Sequence, residues 1–453
     1  MLAENVSEAA IRSFQGCYEQ LVRNETGLIP ESEIQPVDSL PLLGEIVGSR
    51  RPRPELLEQC AVLKLNGGLG TGMGLEKAKS LLEVRPGVTF LDLIVRQVLH
   101  FRKSSGSNLR FLLLNSFSTS EDTRAALARH PEIGDPNAIE LLQNKVPKVD
   151  AATLEPAQWP AHPEMEWCPP GHGDLYAVLA GSGALDRLLA DGVRYVFVSN
   201  SDNLGATLDP ALLAWFADSG APFAMEVTAR TPSDRKGGHL AERDGRLLLR
   251  ESAQCPDADL DAFQDITRHR FFNTNNLWLR LDRLKEAIES AGGFLPLPLI
   301  RNAKTVDPRD KKSPKVFQLE IAMGAAIASF PDAAAIEVPR RRFAPVKTTS
   351  DLLALRSDAY EIAEDGSVRL APERRDVPPR IELDDANYKL VEQLEAALAE
   401  GAPSLKKCSS LKVSGPVSFS DEVILEGEVE IANSSEDRKR IPAGTHRDAR
   451  IEI

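Results

Sequence analysis

The stretch from Ala61 to Val84 reads AVLKLNGGLGTGMGLEKAKSLLEV, an apolar strand that breaks into a loop carrying Gly67, Gly68, Gly70, Gly72 and Gly74. Each glycine costs backbone entropy, so such a cluster implies positive φ or close approach of the backbone to something else. A glycine loop leaving a strand turns successive N–H groups towards one point, which suits phosphate oxygens. Lys77 and Lys79 follow, two cations able to reach the same anion. The loop is no Walker A motif, because Gly74 is followed by Leu75 and Glu76 rather than Lys-Ser/Thr. It also fails G-x-G-x-x-G, whose last position would be Met73 or Leu75. A flexible surface loop is the plain alternative; the strand before it and the lysines after it argue otherwise.

Four further constellations carry chemistry. Pro169-Pro170-Gly171-His172-Gly173-Asp174 joins an irregular segment to a helix, and the flanking glycines let a ligand approach the backbone beside His172, a donor to a hydroxyl or phosphate. Val198-Ser199-Asn200-Ser201-Asp202-Asn203 stands at the carboxyl end of a predicted strand, where an α/β enzyme holds Mg²⁺ on a nucleotide; alone, it would read as an Asx turn. Phe272-Asn273-Thr274-Asn275-Asn276-Leu277-Trp278 packs amides between aromatics, a structural turn or a set of donors and acceptors for sugar hydroxyls; Lys236-Gly237-Gly238 is another close-approach turn. Arg340 to Asp351, RRRFAPVKTTSD, is the most basic stretch, in which Pro345 and a helix starting near Ser350 hold Lys347 in place.

These residues carry a resemblance that spans roughly Gly27 to Asn433. LKLNGGLGTGMG followed by KAKSLLEV resembles the nucleotide-binding loop of the eukaryotic-type UTP–glucose-1-phosphate uridylyltransferases. The resemblance implies nucleotide contacts from Leu65, Asn66, Gly67, Gly68 and Gly171, and sugar-phosphate contacts from His172, Asn200, Asn275 and, less directly, Glu251. By the same resemblance Asp202 is the Mg²⁺ ligand, Lys347 is the essential lysine of a P-V-K-x-T-S-D motif, and Lys79 matches the loop lysine. The family's usual C-K-G-P-K is here Glu76-Lys77-Ala78-Lys79. Its uracil-reading F-N-Q-S-R-Y-P segment is here Leu141 to Pro147, which keeps Gln143 and Pro147 and loses the first aromatic, the Arg and the Tyr. An amide such as Gln143 can pair with uracil's edge.

The implied reaction joins UTP and glucose 1-phosphate into UDP-glucose and pyrophosphate, with Lys79 and Lys347 offsetting phosphate charge. Two other readings stand beside it. One is a uridylyltransferase for other sugar 1-phosphates, N-acetylglucosamine 1-phosphate included, although Asn-Gly-Gly-Leu-Gly at 66–70 differs from the amino-sugar branch's A-G-G-Q-G. The other is a nucleotide-binding regulator without turnover, against which the retained Lys79, Asp202 and Lys347 speak.

Strands and helices alternate around these motifs. The pattern predicts helices at 5–23, 89–102, 175–189, 210–217 and 350–357, with strands at 61–65, 109–114, 195–199 and 223–228. Ser118-x-x-Glu121 reads as a capping box opening another helix. The expectation is an α/β nucleotidyltransferase domain on a mainly parallel, Rossmann-like sheet of the glycosyltransferase-A type, with ligands beyond the strands' carboxyl ends. Residues 1–55 are expected to be a helical and extended N-terminal segment, 56–370 the catalytic domain, 371–380 a linker and 381–453 a C-terminal domain. Residues 411–432 show short β runs with turns every five or six residues, which fits a solenoid or a sandwich fragment; the resemblance implies a left-handed β-helix.

Composition sets the outer bounds. A chain of 453 residues with 27% charged and 42% hydrophobic residues suits a multidomain globular protein. Its net charge of −13 argues against nucleic acid or an anionic membrane as partner. Five cysteines without C-x-x-C or zinc spacing suit reduced thiols in a cytoplasm, and neither a signal peptide nor a membrane span is expected. A homo-oligomer built through the C-terminal domain is the remaining partner expectation.

Overall fold

The computed structural model describes residues 1–49 and 53–453. Residues 50–52, within the stretch expected to be an N-terminal extended segment, lie outside the described residues. Strand Cys60–Asn66 is central in a ten-stranded sheet, paired in parallel with Arg110–Asn115 on one side and Tyr195–Asn200 on the other. Glu140–Leu142 adds a further parallel strand beyond Arg110–Asn115. All four therefore end at the same edge. Phe271–Arg280 runs antiparallel between Tyr195–Asn200 and Phe223–Ala229, and Ala334–Glu337 pairs in parallel with the latter. The result is a mixed α/β fold on a mainly parallel sheet. The run Ala61-Val62-Leu63 is buried on both faces, as helices covering a parallel sheet require.

Local chemistry explains where the elements start and stop. Helix Phe90–Ser105 opens on a capping box between Thr89 and Asp92. The box expected at Ser118 and Glu121 does not form: helix Ser120–Leu127 follows Thr119 without a side-chain cap, and Thr119 Oγ1 accepts instead from Ser116 N at 2.9 Å. The helix expected at 175–189 is two, Leu175–Gly181 and Ala184–Ala190, because Gly183 takes φ 70° and breaks it. Part of the presumed extended wrap is the helix Leu43–Ser49, with Leu43 and Ile46 in the core.

Downstream of Ala371 the pairing is of another kind. Arg380–Leu383, Ser404–Ser414 and Val423–Ala432 are stacked in parallel, and Gly444–Arg447 and Arg450–Glu452 both add in parallel to the last of these. An antiparallel sandwich fragment is excluded by that direction of pairing. Leu405, Leu411, Leu425 and Ile431 fill its interior and belong to the same apolar cluster as Phe90, Phe197 and Trp278. The stretch 371–380 is anchored to this layer, since Arg374 donates to the carbonyls of Leu405 and Cys408, each at 2.7 Å.

Candidate active site

At the carboxyl edge of the central strand the chain turns through Gly67 to Gly74. Gly70 and Gly74 take φ of 70° and 77°, so glycine is needed there for conformation. At Gly67 a Cβ would stand 2.9 Å from Gln143 Oε1, so that side chain would have to shift. Gly68 and Gly72 face open space, where a ligand can lie against bare backbone. The carbonyls of Gly67 and Gly68 are tied back to Ser116 Oγ at 2.9 Å and Lys79 N at 3.1 Å.

The loop brings Lys79 to Asp202. Lys79 Nζ lies 2.9 Å and Lys347 Nζ 2.7 Å from the same oxygen, Asp202 Oδ2. The two cations differ in enclosure, with Lys79 retaining 13% side-chain exposure and Lys347 55%. Burial of Asp202 works to raise its pKa, but Lys347 and Lys79 outweigh burial and hold it below the ordinary carboxylate value. Its other oxygen, Oδ1, is buried and accepts no hydrogen bond among the described residues. A hard divalent cation that keeps waters and substrate phosphates in its shell needs only one such carboxylate oxygen from the protein. The donor set therefore fits Mg²⁺ at Asp202.

Lys347 is placed by its own segment. Val346 N donates to Asp202 O at 3.1 Å and Ala344 N to Asn203 Oδ1 at 3.0 Å, so the arm runs along the Asp202 turn. Lys347 N and Thr348 N both donate to Asp351 Oδ2 at 2.8 Å, the carboxylate of a capping box that starts helix Thr349–Arg356. Behind the arm, Arg342 grips Glu226 through Nε and Nη2, each at 2.8 Å, and Glu226 also takes Asn276 Nδ2 and Trp278 Nε1.

Opposite stands His172. Its Nδ1 accepts from Met323 N at 3.0 Å, which assigns the ring proton to Nε2 and makes that atom a donor. Burial, followed by the nearby Lys347 charge, lowers the pKa of His172 to about 4, so the ring is neutral at physiological pH. Gly171, at φ 83°, closes against Ile321, and a Cβ there would meet Ile321 O at 2.5 Å. Beyond Met323 lies the amide cluster. A register shift between Glu226 and Val227 bulges Phe271–Arg280 and leaves Asn275 at φ 58°, braced by Asn273. Asn273 also hydrogen-bonds Glu251, whose pKa burial raises although that bond works to lower it. Glu251 approaches so closely to Gly238 that a Cβ there would stand 2.5 Å from Oε2.

A family model described as UTP–glucose-1-phosphate uridylyltransferase matches residues 11–426. The chain belongs to that family. The banana (Musa acuminata) UTP–glucose-1-phosphate uridylyltransferase is 42% identical over 385 residues, covering 84% of this chain and 80% of that protein. The Saccharomyces cerevisiae protein of that name is 41% identical over 405 residues, 88% of this chain and 79% of its own. Among solved structures, a UDP-glucose pyrophosphorylase variant from Leishmania major in complex with UDP-glucose aligns with TM-score 0.94 and 48% identity, covering 100% of this chain and 98% of that one.

Within this uridylyltransferase fold the residues expected from sequence divide. Gly67, Gly68, Lys79, Asp202 and Lys347 gather at one edge with Asn200 at the end of its strand, and His172 faces Lys347. Glu251 and Asn275 meet through Asn273. Leu65 contributes backbone, its carbonyl taken by Ser201 N at 3.0 Å. Asn66 points its side chain into the protein: Nδ2 donates to Asn115 Oδ1 and Thr123 Oγ1, and Oδ1 accepts from Ser201 Oγ. Its side-chain amide is thus engaged within the protein. Gln143 Nε2 is committed to Gly171 O at 2.9 Å, which leaves Oε1 as the acceptor beside the loop. Lys77 is exposed in a separate crevice near Leu390 and Glu395. The arginines at 340–342 are anchors, Arg340 on Asp234 and Arg342 on Glu226. Sequence reading missed Lys64 and Glu226, and it named Asn203 without a role; for Lys64 a lysine within the apolar run Ala61–Leu65 was the visible signal.

Proposed function

We propose that this chain joins UTP and glucose 1-phosphate to give UDP-glucose and pyrophosphate, by in-line attack of the sugar phosphate on the α-phosphorus of UTP. The observation that carries the reading is the convergence of Lys79 and Lys347 on one oxygen of Asp202, at the mouth of a glycine loop. The attacking oxygen is already anionic, so no general base is required; positioning and charge neutralisation supply the rate. Lys79, nearly enclosed, is a fixed cation for the triphosphate. Lys347, half exposed, can exchange Asp202 for a phosphate oxygen as substrates close the site. His172 Nε2–H donates to the sugar phosphate, and being neutral it repels neither lysine. The backbone at Gly67, Gly68 and Gly171 lets the nucleotide lie close, while Asn200, Asn275 and Glu251 offer polar partners to the sugar. Gln143 Oε1 accepts from the N3–H of uracil. Mg²⁺, which Asp202 Oδ1 would hold, supplies further charge neutralisation on the phosphates when bound.

The parallel stacking after Arg380 supports a β-helix for 381–453, left-handed as the resemblance implies, carried by a catalytic unit at 56–370. Cys17, Cys60, Cys168, Cys255 and Cys408 are all buried free thiols, which supports a cytoplasmic location. No helix among the described residues is long and apolar enough to cross a membrane.

A coupled assay for pyrophosphate release over a panel of nucleoside triphosphates and sugar 1-phosphates tests the reading. Turnover is expected with UTP, glucose 1-phosphate and Mg²⁺, and its loss in Asp202→Asn with circular dichroism unchanged. Near-normal turnover of Asp202→Asn would remove the carboxylate from the mechanism.

A further inference from the structure

One buried cation has no place in the chemistry above. Lys64 lies in the central strand on the same face as Val62 and Phe197, a position that the apolar core would ordinarily fill. Its side chain is almost fully enclosed, and its ammonium makes no salt bridge within 4.0 Å among the described residues. It donates instead to two neutral oxygens, Ser199 Oγ at 2.8 Å and Ala206 O at 2.7 Å, and lies 5.9 Å from the centre of the Phe197 ring.

The two acceptors are informative because of where they sit. Ser199 is in register with Lys64 and immediately precedes Asn200, the last residue of its strand. Ala206 closes the turn that leaves that strand. Between them lie Asp202, on which Lys79 and Lys347 converge, and Asn203, which holds the Lys347 arm. We propose that Lys64 is a positioning residue that holds the two feet of the Asp202 turn together, and so sets where that carboxylate stands. The inference rests on the reading of Asp202 as the site's central carboxylate.

A purely structural role is a poor account of an ammonium in this position. Burying a lysine nitrogen without a carboxylate partner is costly, and an apolar side chain of similar shape would stabilise the layer. Burial, then Arg342, lowers the pKa of Lys64 to about 7, with Glu226 and Asp202 opposing, so all three charged neighbours feel this nitrogen. Stability lost at such a site, with function gained, is the trade commonly found where a fold holds a reactive group in place.

Lys64→Met tests this through two readouts. Hydrogen exchange should accelerate at the amides of Ser201, Asn203 and Ala206, which are now bonded to Leu65, Asn200 and Asn203, while the rest of the sheet stays protected. At the same time kcat should fall at least tenfold, while KM for UTP should change less than about threefold. Unchanged exchange in that turn, or kcat within twofold of wild type, overturns the inference; so does faster exchange throughout the sheet. Should Lys64→Met fail to fold, Ser199→Ala removes one foot and is read in the same two ways, with a smaller loss expected and the same reversals. Absence of turnover in the wild-type enzyme would instead refute the uridylyl-transfer reading, which separates the two failures.

Discussion

Replacing Lys347 by alanine separates catalysis from folding in a way the structure makes quantitative. Lys347 is 55% exposed, so its contact with Asp202 is a partly solvated ion pair. Such pairs contribute about 0–1 kcal/mol to stability. Asp202 would keep Lys79 at 2.9 Å, so the buried carboxylate is not left without a cation. In the transition state the accounting is different: two anionic groups are forced together, and loss of one preorganised electrostatic partner costs roughly 10²–10³ in rate. Lys347→Ala is therefore expected to lower kcat by roughly 10²–10³ while stability changes by no more than about 1 kcal/mol. Lys79→Ala makes the contrast, because Lys79 is only 13% exposed. Breaking that enclosed pair leaves a buried carboxylate facing one half-exposed cation, a loss that approaches about 3–5 kcal/mol for a fully buried pair. The pair of variants is read by steady-state kinetics, urea unfolding and calorimetric UTP binding. A Lys347→Ala enzyme with kcat within about threefold of wild type would reduce Lys347 to a surface partner of Asp202 and refute the proposed electrostatic role.

Three other outcomes follow from single features. Gln143→Ala is expected to weaken the preference for UTP over CTP, because Oε1 is the acceptor left for uracil N3–H; unchanged relative kcat/KM would place base reading elsewhere. Gly171→Ala combines φ 83° with a Cβ 2.5 Å from Ile321 O, and should cost more than about 2 kcal/mol in chemical unfolding; wild-type stability would show that the turn can shift at little cost. His172, held neutral by burial and Lys347 down to a pKa of about 4, should lose stability as pH falls from the unfolded value of 6.5 towards 4, since only the unfolded chain then takes up the proton. His172→Asn should show a shallower decline over that window when Tm is followed against pH, and an identical decline would assign the acid sensitivity to other groups.

Much of this protein was legible in its sequence because the signals are local. A glycine run after an apolar strand must bend and expose backbone, and Gly70 and Gly74 do so at positive φ. Alternating strand and helix patterns placed Asp202 beyond the end of its strand, and the Thr348–Asp351 capping box lies close to the predicted helix start. Tertiary structure decided whatever depends on partners distant along the chain. Lys79 and Lys77 look equivalent in sequence, yet of the two only Lys79 reaches Asp202, while Lys77 stands exposed in a separate crevice. Asn66 carries as promising an amide as Gln143, but Asn115, Thr123 and Ser201 consume it. The arginines at 340–342 belong to the most basic stretch of the sequence, and only the fold sets Asp234 and Glu226 opposite two of them. Lys64 shows the limit most plainly: within Ala61–Leu65 it is a polar interruption in an apolar strand, and only the parallel pairing with Tyr195–Asn200 brings its ammonium to Ser199 and beneath the Asp202 turn. Residue type and period are properties of a segment, whereas the pairing of a charge is a property of the folded chain.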